Sequence, residues 1–262
     1  MSIGAALLLT AIGFFAGGFG ALAGVGGGII ITPLLAIYFG VPIHQAIGIS
    51  LLSVIATSTA TSSQYVEHHV TDVRLGMTLE LATTVGALIA ALVAHHVDRR
   101  TLALLFCCFL AYTSASLVRK AWGSRRQQGE AAIPDYTIQN YPLGLGASLV
   151  AGGFSGLLGI GGGPIKVPVM YLFMKVPLRV ATATSNFMIG VTAATSAYIY
   201  WGRGDINVTL AAPLVAGVFA GSLLGARLAP KVRGFYILTL LIGVTGWLAG
   251  QMIYKLVTGG FR

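Results

Sequence analysis

Two glycine triplets, Gly26–Gly28 and Gly161–Gly163, carry the clearest chemistry in this chain, and that chemistry is anion binding. Each closes a G-x-G-G-G run inside apolar sequence and opens a short apolar segment. Glycines at a helix start leave backbone N–H groups unshielded and admit close approach of a ligand. The helix dipole adds partial positive charge at the same place. Glycine in membranes also serves simply to let helices turn and pack. One such run would say little; two in register say more. Valine at Gly27 or Gly162 is expected to abolish binding, and alanine at Gly17, outside the loop, to be tolerated.

Neighbouring side chains extend the candidate site. Ser50 and Ser185 hold equivalent positions after the two loops, with Asn186 beside the second. Ser50, Ser53, Thr57, Thr61 and Gln64 recur at three-to-four spacing and share one helix face; Ser185, Thr192 and Ser196 form the matching stripe. Such hydroxyls either line a polar path or bond their own backbone and adjoining helices. Ser50, Ser185 and Asn186 lie deepest toward the loops and are read as substrate-binding. Lys166 follows Gly163 by three residues, where the first loop has Ile31. An ionisable residue near the midplane is expensive and by default functional. Its expected role is pairing with a substrate anion; snorkelling to the surface and pairing with an unplaced acid are the alternatives. Glu80 is the only acid well within an apolar run. It is expected at the interface rather than in a proton relay.

Other chemistries find no support. The histidines fall at helix ends, and His68–His69 and His95–His96 are adjacent rather than spaced i, i+4 as a helical metal site requires. No nucleophile–base pair is recognisable, so the expectation is no catalytic residue, no metal, no cofactor and no enzyme. The loops lack the preceding strand, and the acid about 20 residues on, of a dinucleotide fingerprint. Cys107 and Cys108 are adjacent in an apolar helix, which excludes a disulfide framework.

Both loops belong to one duplication. Ala16–Ser50 lies over Ala151–Ser185 without a gap, 135 positions later, with 15 of 35 residues identical. A duplicated hydrophobic unit with a glycine-broken segment is the sequence pattern of a secondary transporter whose site lies between its halves. Composition agrees. The chain has 262 residues, 56% hydrophobic and 9% charged, with mean hydropathy +0.85 and 36 glycines, whereas soluble domains carry roughly 25% charged residues. The net charge of +9 comes from basic residues flanking hydrophobic runs, as membrane anchors do, and no nucleic-acid motif accompanies it. The N-terminal stretch lacks a basic n-region and leads into the first repeat, so it is read as retained rather than cleaved.

Helices are predicted over residues 3–23, 29–39, 44–65, 75–94 and 101–118, and again over 142–158, 164–174, 179–200, 208–228 and 234–257. Residues 1–118 form the first transmembrane repeat, 119–140 a polar cytoplasmic linker and 141–262 the second repeat. Segments 29–39 and 164–174, at 1.5 Å per residue, reach roughly 16 Å, half a membrane. The expected element is a re-entrant hairpin plus three spans per repeat, an odd number, so the second repeat sits upside down. The positive-inside rule agrees. Inversion puts Arg74, Arg119, Lys120, Arg125, Arg126, Lys175, Arg179, Arg227, Lys231 and Arg233 inside, with Arg99, Arg100, Arg203, Lys255 and Arg262 outside: ten against five. Parallel repeats give eight against seven.

The paired loops, each followed by a proline (Pro33, Pro168), with the Ser-Leu and Ser-Asn-Phe starts at Ser50–Leu51 and Ser185–Phe187, resemble the sulfite exporter TauE/SafE family. The resemblance runs from Ile12 to about Tyr254. It implies a bacterial inner-membrane permease for small anions such as sulfite, sulfoacetate or related organosulfonates, and its usual four-span repeats differ from the hairpin count. The reading is therefore an all-α secondary transporter for a small sulfur-containing anion. A short-carboxylate transporter and a non-transporting subunit anchoring a partner complex are the rivals. With no ATP-binding motif, movement follows a gradient of H+ or Na+ or borrows an energising partner. Homo-oligomer formation is left open, and the lipid bilayer is the one certain partner.

Overall fold

The computed structural model describes residues 3–68, 70–124, 136–229 and 234–258. The elements in them are all helices: α1 (Ile3–Ala23), α2 (Gly28–Tyr38), α3 (Ile43–Glu67), α4 (Val73–Ala94), α5 (Arg99–Ser124), α6 (Tyr141–Leu158), α7 (Gly163–Leu172), α8 (Leu178–Gly202), α9 (Val208–Leu228) and α10 (Gly234–Val257). The largest departure from the sequence reading is α5, which continues through 119–124 into the expected linker. Arg, Lys and Ala there are strong helix formers, so the helix outlasts its apolar stretch. The remaining linker residues 125–135 lie outside the described residues, as do His69, Lys231, Arg233 and Arg262.

Equivalent residues begin equivalent helices. The Asp72 side chain accepts from the Leu75 N–H at 2.9 Å to cap α4, and Asn207, 135 positions on, accepts from Thr209 and Leu210 to cap α9. Pro42 and Pro177 precede α3 and α8 with φ of −51° and −53°. The geometry of the duplication thus extends beyond the 35 residues where the identity is plain.

α1, α3, α4, α6 and α9 are each long and apolar enough to cross a membrane. Large apolar side chains such as Ile3, Leu7, Phe15 and Leu81 stand outward and exposed, the surface that lipid covers. α8 is as long as α3, at 25 residues, but its apolar character is diluted by buried Thr184, Ser185, Asn186, Thr192 and Ser196.

The two halves interlock. α1 packs along α9 and α6 along α4, through stripes of small residues that let backbones approach. A Cβ at Gly17 would strike the Val218 carbonyl, and one at the equivalent Gly152 would strike that of Thr83. Gly221 meets Phe14 as Gly86 meets Leu149. Gly17 is therefore a packing position, and the expectation that alanine is tolerated there is overturned. Contacts between α4 and α8 climb together: Asp72 with Thr184, Glu80 with Thr192, and Arg203 with Ala91 and Leu92. Those between α3 and α9 do likewise, from Gly48 against Asp205 to Thr57 against Ser222. Between α3 and α8, Ser58 donates to the Asn186 carbonyl at 2.6 Å. One core cluster spans both repeats, and a smaller one gathers Leu75, Leu79, Met170, Met174 and Met188 from α4, α7, the turn after α7 and α8.

Candidate functional site

The two glycine loops adopt the same backbone. Gly24, Gly26 and Gly27 have φ of 76°, 79° and 69°; Gly159, Gly161 and Gly162 have 71°, 76° and 74°. Only glycine takes this left-handed region freely, so the spacing of the motif follows from the turn it makes. Gly27 and Gly162 start α2 and α7 with no side-chain cap. The loops differ in one donor: Pro164 stands in the first turn of α7 where α2 has Ile29, and proline has no N–H.

The loops meet each other. A Cβ on Gly28 would strike the Gly159 carbonyl, and one on Gly163 would strike that of Gly24. Val54 and Ile189, equivalent in the repeat, sit against both Gly26 and Gly161. Ser50 Oγ donates to the Gly159 carbonyl at 2.7 Å, and Ser185 Oγ mirrors it toward Gly24 at 3.5 Å. Asn186 Nδ2 donates to the Ala21 carbonyl at 3.3 Å, and its Oδ1 is buried without a partner. All ten residues singled out in the sequence except Lys166 therefore fall in this one contact zone. A crevice of about 20 Å³, room for one water, opens beside it at Val25, Gly163, Pro164 and Val167. The loops are closed on one another.

Lys166 lies one turn into α7, its N–H on the Gly162 carbonyl and its side chain fully buried. It does not snorkel. Its Nζ donates to Glu80 Oε2 and to Thr192 Oγ1, both at 3.2 Å, while Thr192 Oγ1 donates to Glu80 Oε1 at 2.5 Å. Thr84 Oγ1 reaches Glu80 Oε1 at 3.4 Å. Glu80 is 6% exposed and is the acid that Lys166 pairs with, the alternative the sequence left without a partner. Sequence spacing could not pair them, because 86 residues separate them; the signal was that each is the rare ionisable group in its helix.

The hydroxyl stripe divides. Ser53, Thr57, Thr61 and Ser196 bond carbonyls of their own helices. Ser50 and Ser185 cross to the loops, and Ser222 of α9, unforeseen in the sequence, crosses to α3 and donates to Thr57 at 3.1 Å. Ser58, also unforeseen, faces Gly190, whose missing side chain makes room for it. Among the described residues no group of three or more His, Cys, Asp or Glu could hold a metal.

The sequence profile described as Sulfite exporter TauE/SafE matches residues 9–252, which includes both loops and the ion pair. The chain belongs to the sulfite exporter TauE/SafE family. It is 30% identical over 266 residues to the Bacillus subtilis protein named probable membrane transporter protein YunE, covering 95% of this chain and 97% of that one. Probable membrane transporter protein MJ0441 of Methanocaldococcus jannaschii is 25% identical, covering 91% and 92%. No solved structure matches the chain. This TauE/SafE member is a multi-pass membrane protein of a transporter family, not an enzyme.

Proposed function

We propose that this TauE/SafE protein is a secondary transporter of the bacterial inner membrane that moves a small sulfur-containing anion, with sulfoacetate, sulfite and related organosulfonates as its substrate class. The observation that carries the reading is the meeting of two uncapped helix N-termini, each behind the same left-handed glycine turn, bridged by Ser50 and Ser185. Backbone N–H groups and paired helix dipoles favour a compact anion with several acceptor oxygens. Gly26, Gly27, Gly28, Gly161, Gly162, Gly163, Ser50, Ser185 and Asn186 would then surround it. With the loops closed on one another, the described conformation is the occluded one, and binding requires the loops to part.

The repeats are read as inverted. Parallel contacts of α4 with α8, and of α3 with α9, support this, because α3 and α4 are joined by a short turn and run oppositely. Equivalent helices α3 and α8 then oppose one another, as they do about an axis in the membrane plane. α2 and α7, at 11 and 10 residues, are the returning arms of the two hairpins.

A thermal-shift panel of isethionate, sulfoacetate, sulfite, sulfate, taurine and acetate on the purified protein tests the substrate class. An anion at 100 times its Kd stabilises by about 2.7 kcal/mol. Stabilisation by acetate but no sulfonate would move the reading to a carboxylate carrier. Stabilisation by none would favour a subunit that anchors a partner complex.

A further inference from the structure

We propose that Glu80 and Lys166 are the proton-coupling site of this transporter: a proton taken up by Glu80 frees the Lys166 ammonium to hold the transported anion, so that one proton travels with each anion. The inference rests on the anion-transport reading and adds to it the coupling ion and the residue that carries it.

Stability does not explain the pair. A buried ion pair is often matched or bettered by apolar residues of similar volume. The repeat supplies that comparison within one chain, since the equivalents of Lys166 and Glu80 are Ile31 and Val215, and Ile31 is completely buried. The duplication thus places a charged pair, one residue from each repeat, where the equivalent pair of positions holds aliphatic side chains.

Charge balance supplies the function. With both groups ionised, Lys166 is neutralised, its side chain enclosed and donating to Glu80 and Thr192. An anion entering there would leave two negative charges against one positive away from water, which is strongly unfavourable. Protonated Glu80, cationic Lys166 and a singly charged anion such as isethionate together are neutral. The triangle already has a place for the proton. Once Glu80 Oε1 carries it, that O–H donates to Thr192 Oγ1, and the Thr192 hydroxyl turns to the Met188 carbonyl, 3.3 Å away. The proton comes from bulk water, and no bond between heavy atoms changes. Lys166, whose backbone N–H bonds the Gly162 carbonyl, then carries an ammonium no longer neutralised one turn into the helix whose first turn lacks a backbone donor at Pro164.

No other charged group competes among the described residues. α8 presents Thr192; its Arg179 and Tyr198 are exposed, and the Tyr200 hydroxyl donates to the Gly156 carbonyl. α6 contributes Tyr141, exposed at its start, and α4 itself contributes Arg74, also exposed. On α7 the other titratable residue is Tyr171, more than a turn farther from the loop.

The test reads binding first and protons second, on purified protein in weakly buffered detergent with isethionate and sulfoacetate, whose sulfonates stay ionised. Wild type should bind isethionate, the monoanion of the two, with uptake of one proton per anion. Its apparent Kd should tighten as pH falls, by up to about tenfold per pH unit for one linked proton. Glu80→Gln, which mimics the protonated acid, should bind independently of pH and take up no proton. The double variant Glu80→Val/Lys166→Ile copies the equivalent aliphatic pair; it should remain folded and lose anion binding, which covers the case of a misfolded single variant. Binding by wild type with a flat pH profile and no proton uptake overturns the proposal and leaves the anion reading standing. So does pH-steepened binding retained by the double variant. If neither anion, nor any other of the panel, binds wild type, the anion reading falls and this proposal falls with it.

Discussion

The two glycine-loop regions of this protein share a backbone and differ in the residues at one pair of equivalent positions. Around Thr192, the second loop has Glu80 and Lys166 in a closed hydrogen-bonded triangle. Around the equivalent Thr57, the first loop has Ile31 and Val215, and Thr57 accepts from Ser222. The loops themselves match to within ten degrees in φ at all three left-handed glycines. The scaffold is therefore symmetric and the charge is not. Whatever needs two equivalent arms, such as opening to either side, can use the scaffold; whatever needs one ion of one sign must use the asymmetric pair.

The largest effect should come from breaking the shared part. Gly27→Val and Gly162→Val put a β-branched side chain in the left-handed region, with its Cβ about 3 Å from the Ala16 or Ala151 carbonyl. Strain of roughly 1–3 kcal/mol adds to that overlap. Both variants should lose monodisperse protein in size-exclusion chromatography, and to the same extent. This replaces the sequence expectation of a folded variant that merely fails to bind. Unequal losses would break the symmetry of the two loops.

Next is the charged pair. Glu80→Ala leaves the Lys166 ammonium buried and unpaired, which should cost about 3–5 kcal/mol. Val215→Ala, its equivalent, removes only part of a half-buried aliphatic side chain and should cost about 1–2 kcal/mol. Equal losses in unfolding would deny the asymmetry. In binding, Lys166→Met should weaken the anion roughly 30-fold or more, the equivalent of 2–5 kcal/mol for a partly desolvated charge pair. Ile31→Met should leave affinity unchanged.

The smallest effects sharpen the frame. Gly18→Ala and Gly153→Ala, repeat glycines with room for a methyl, should shift stability by within about 0.5 kcal/mol and serve as the loop controls in place of Gly17. Gly40 and Lys175 are equivalent, exposed and both left-handed, with φ of 62° and 60°. Both positions are therefore accessible to cysteine labelling. Labelling of Gly40→Cys and Lys175→Cys from opposite faces, against the unsubstituted chain as blank, is the outcome expected for inverted repeats. Labelling from one face would sink inversion.

Much of the site was legible because a duplication repeats its signal. Gly26–Gly28 and Gly161–Gly163 stood out at fixed spacing, and Ser50 and Ser185 followed by counting. The helices were legible too, since apolar runs bounded by Gly, Pro, Asp72 and Asn207 have few other ways to satisfy their backbone in lipid. Where the reading went astray, a residue's environment came from another helix. Gly17 looked like a spare glycine until α9 arrived against it. Glu80 had no visible partner until α7 brought Lys166 against it.

The sequence by itself determined the duplication, the membrane class and the family, because these depend on local pattern and on period. Only the tertiary structure decided that Ser50 reaches the opposite loop, that Ser58 fits the space at Gly190, and that Lys166 is neutralised by Glu80. The physical reason is that a side chain's electrostatic partner is fixed by proximity in space. Here α7 brings Lys166 to α4 across 86 residues, and no spacing rule along the chain encodes that approach.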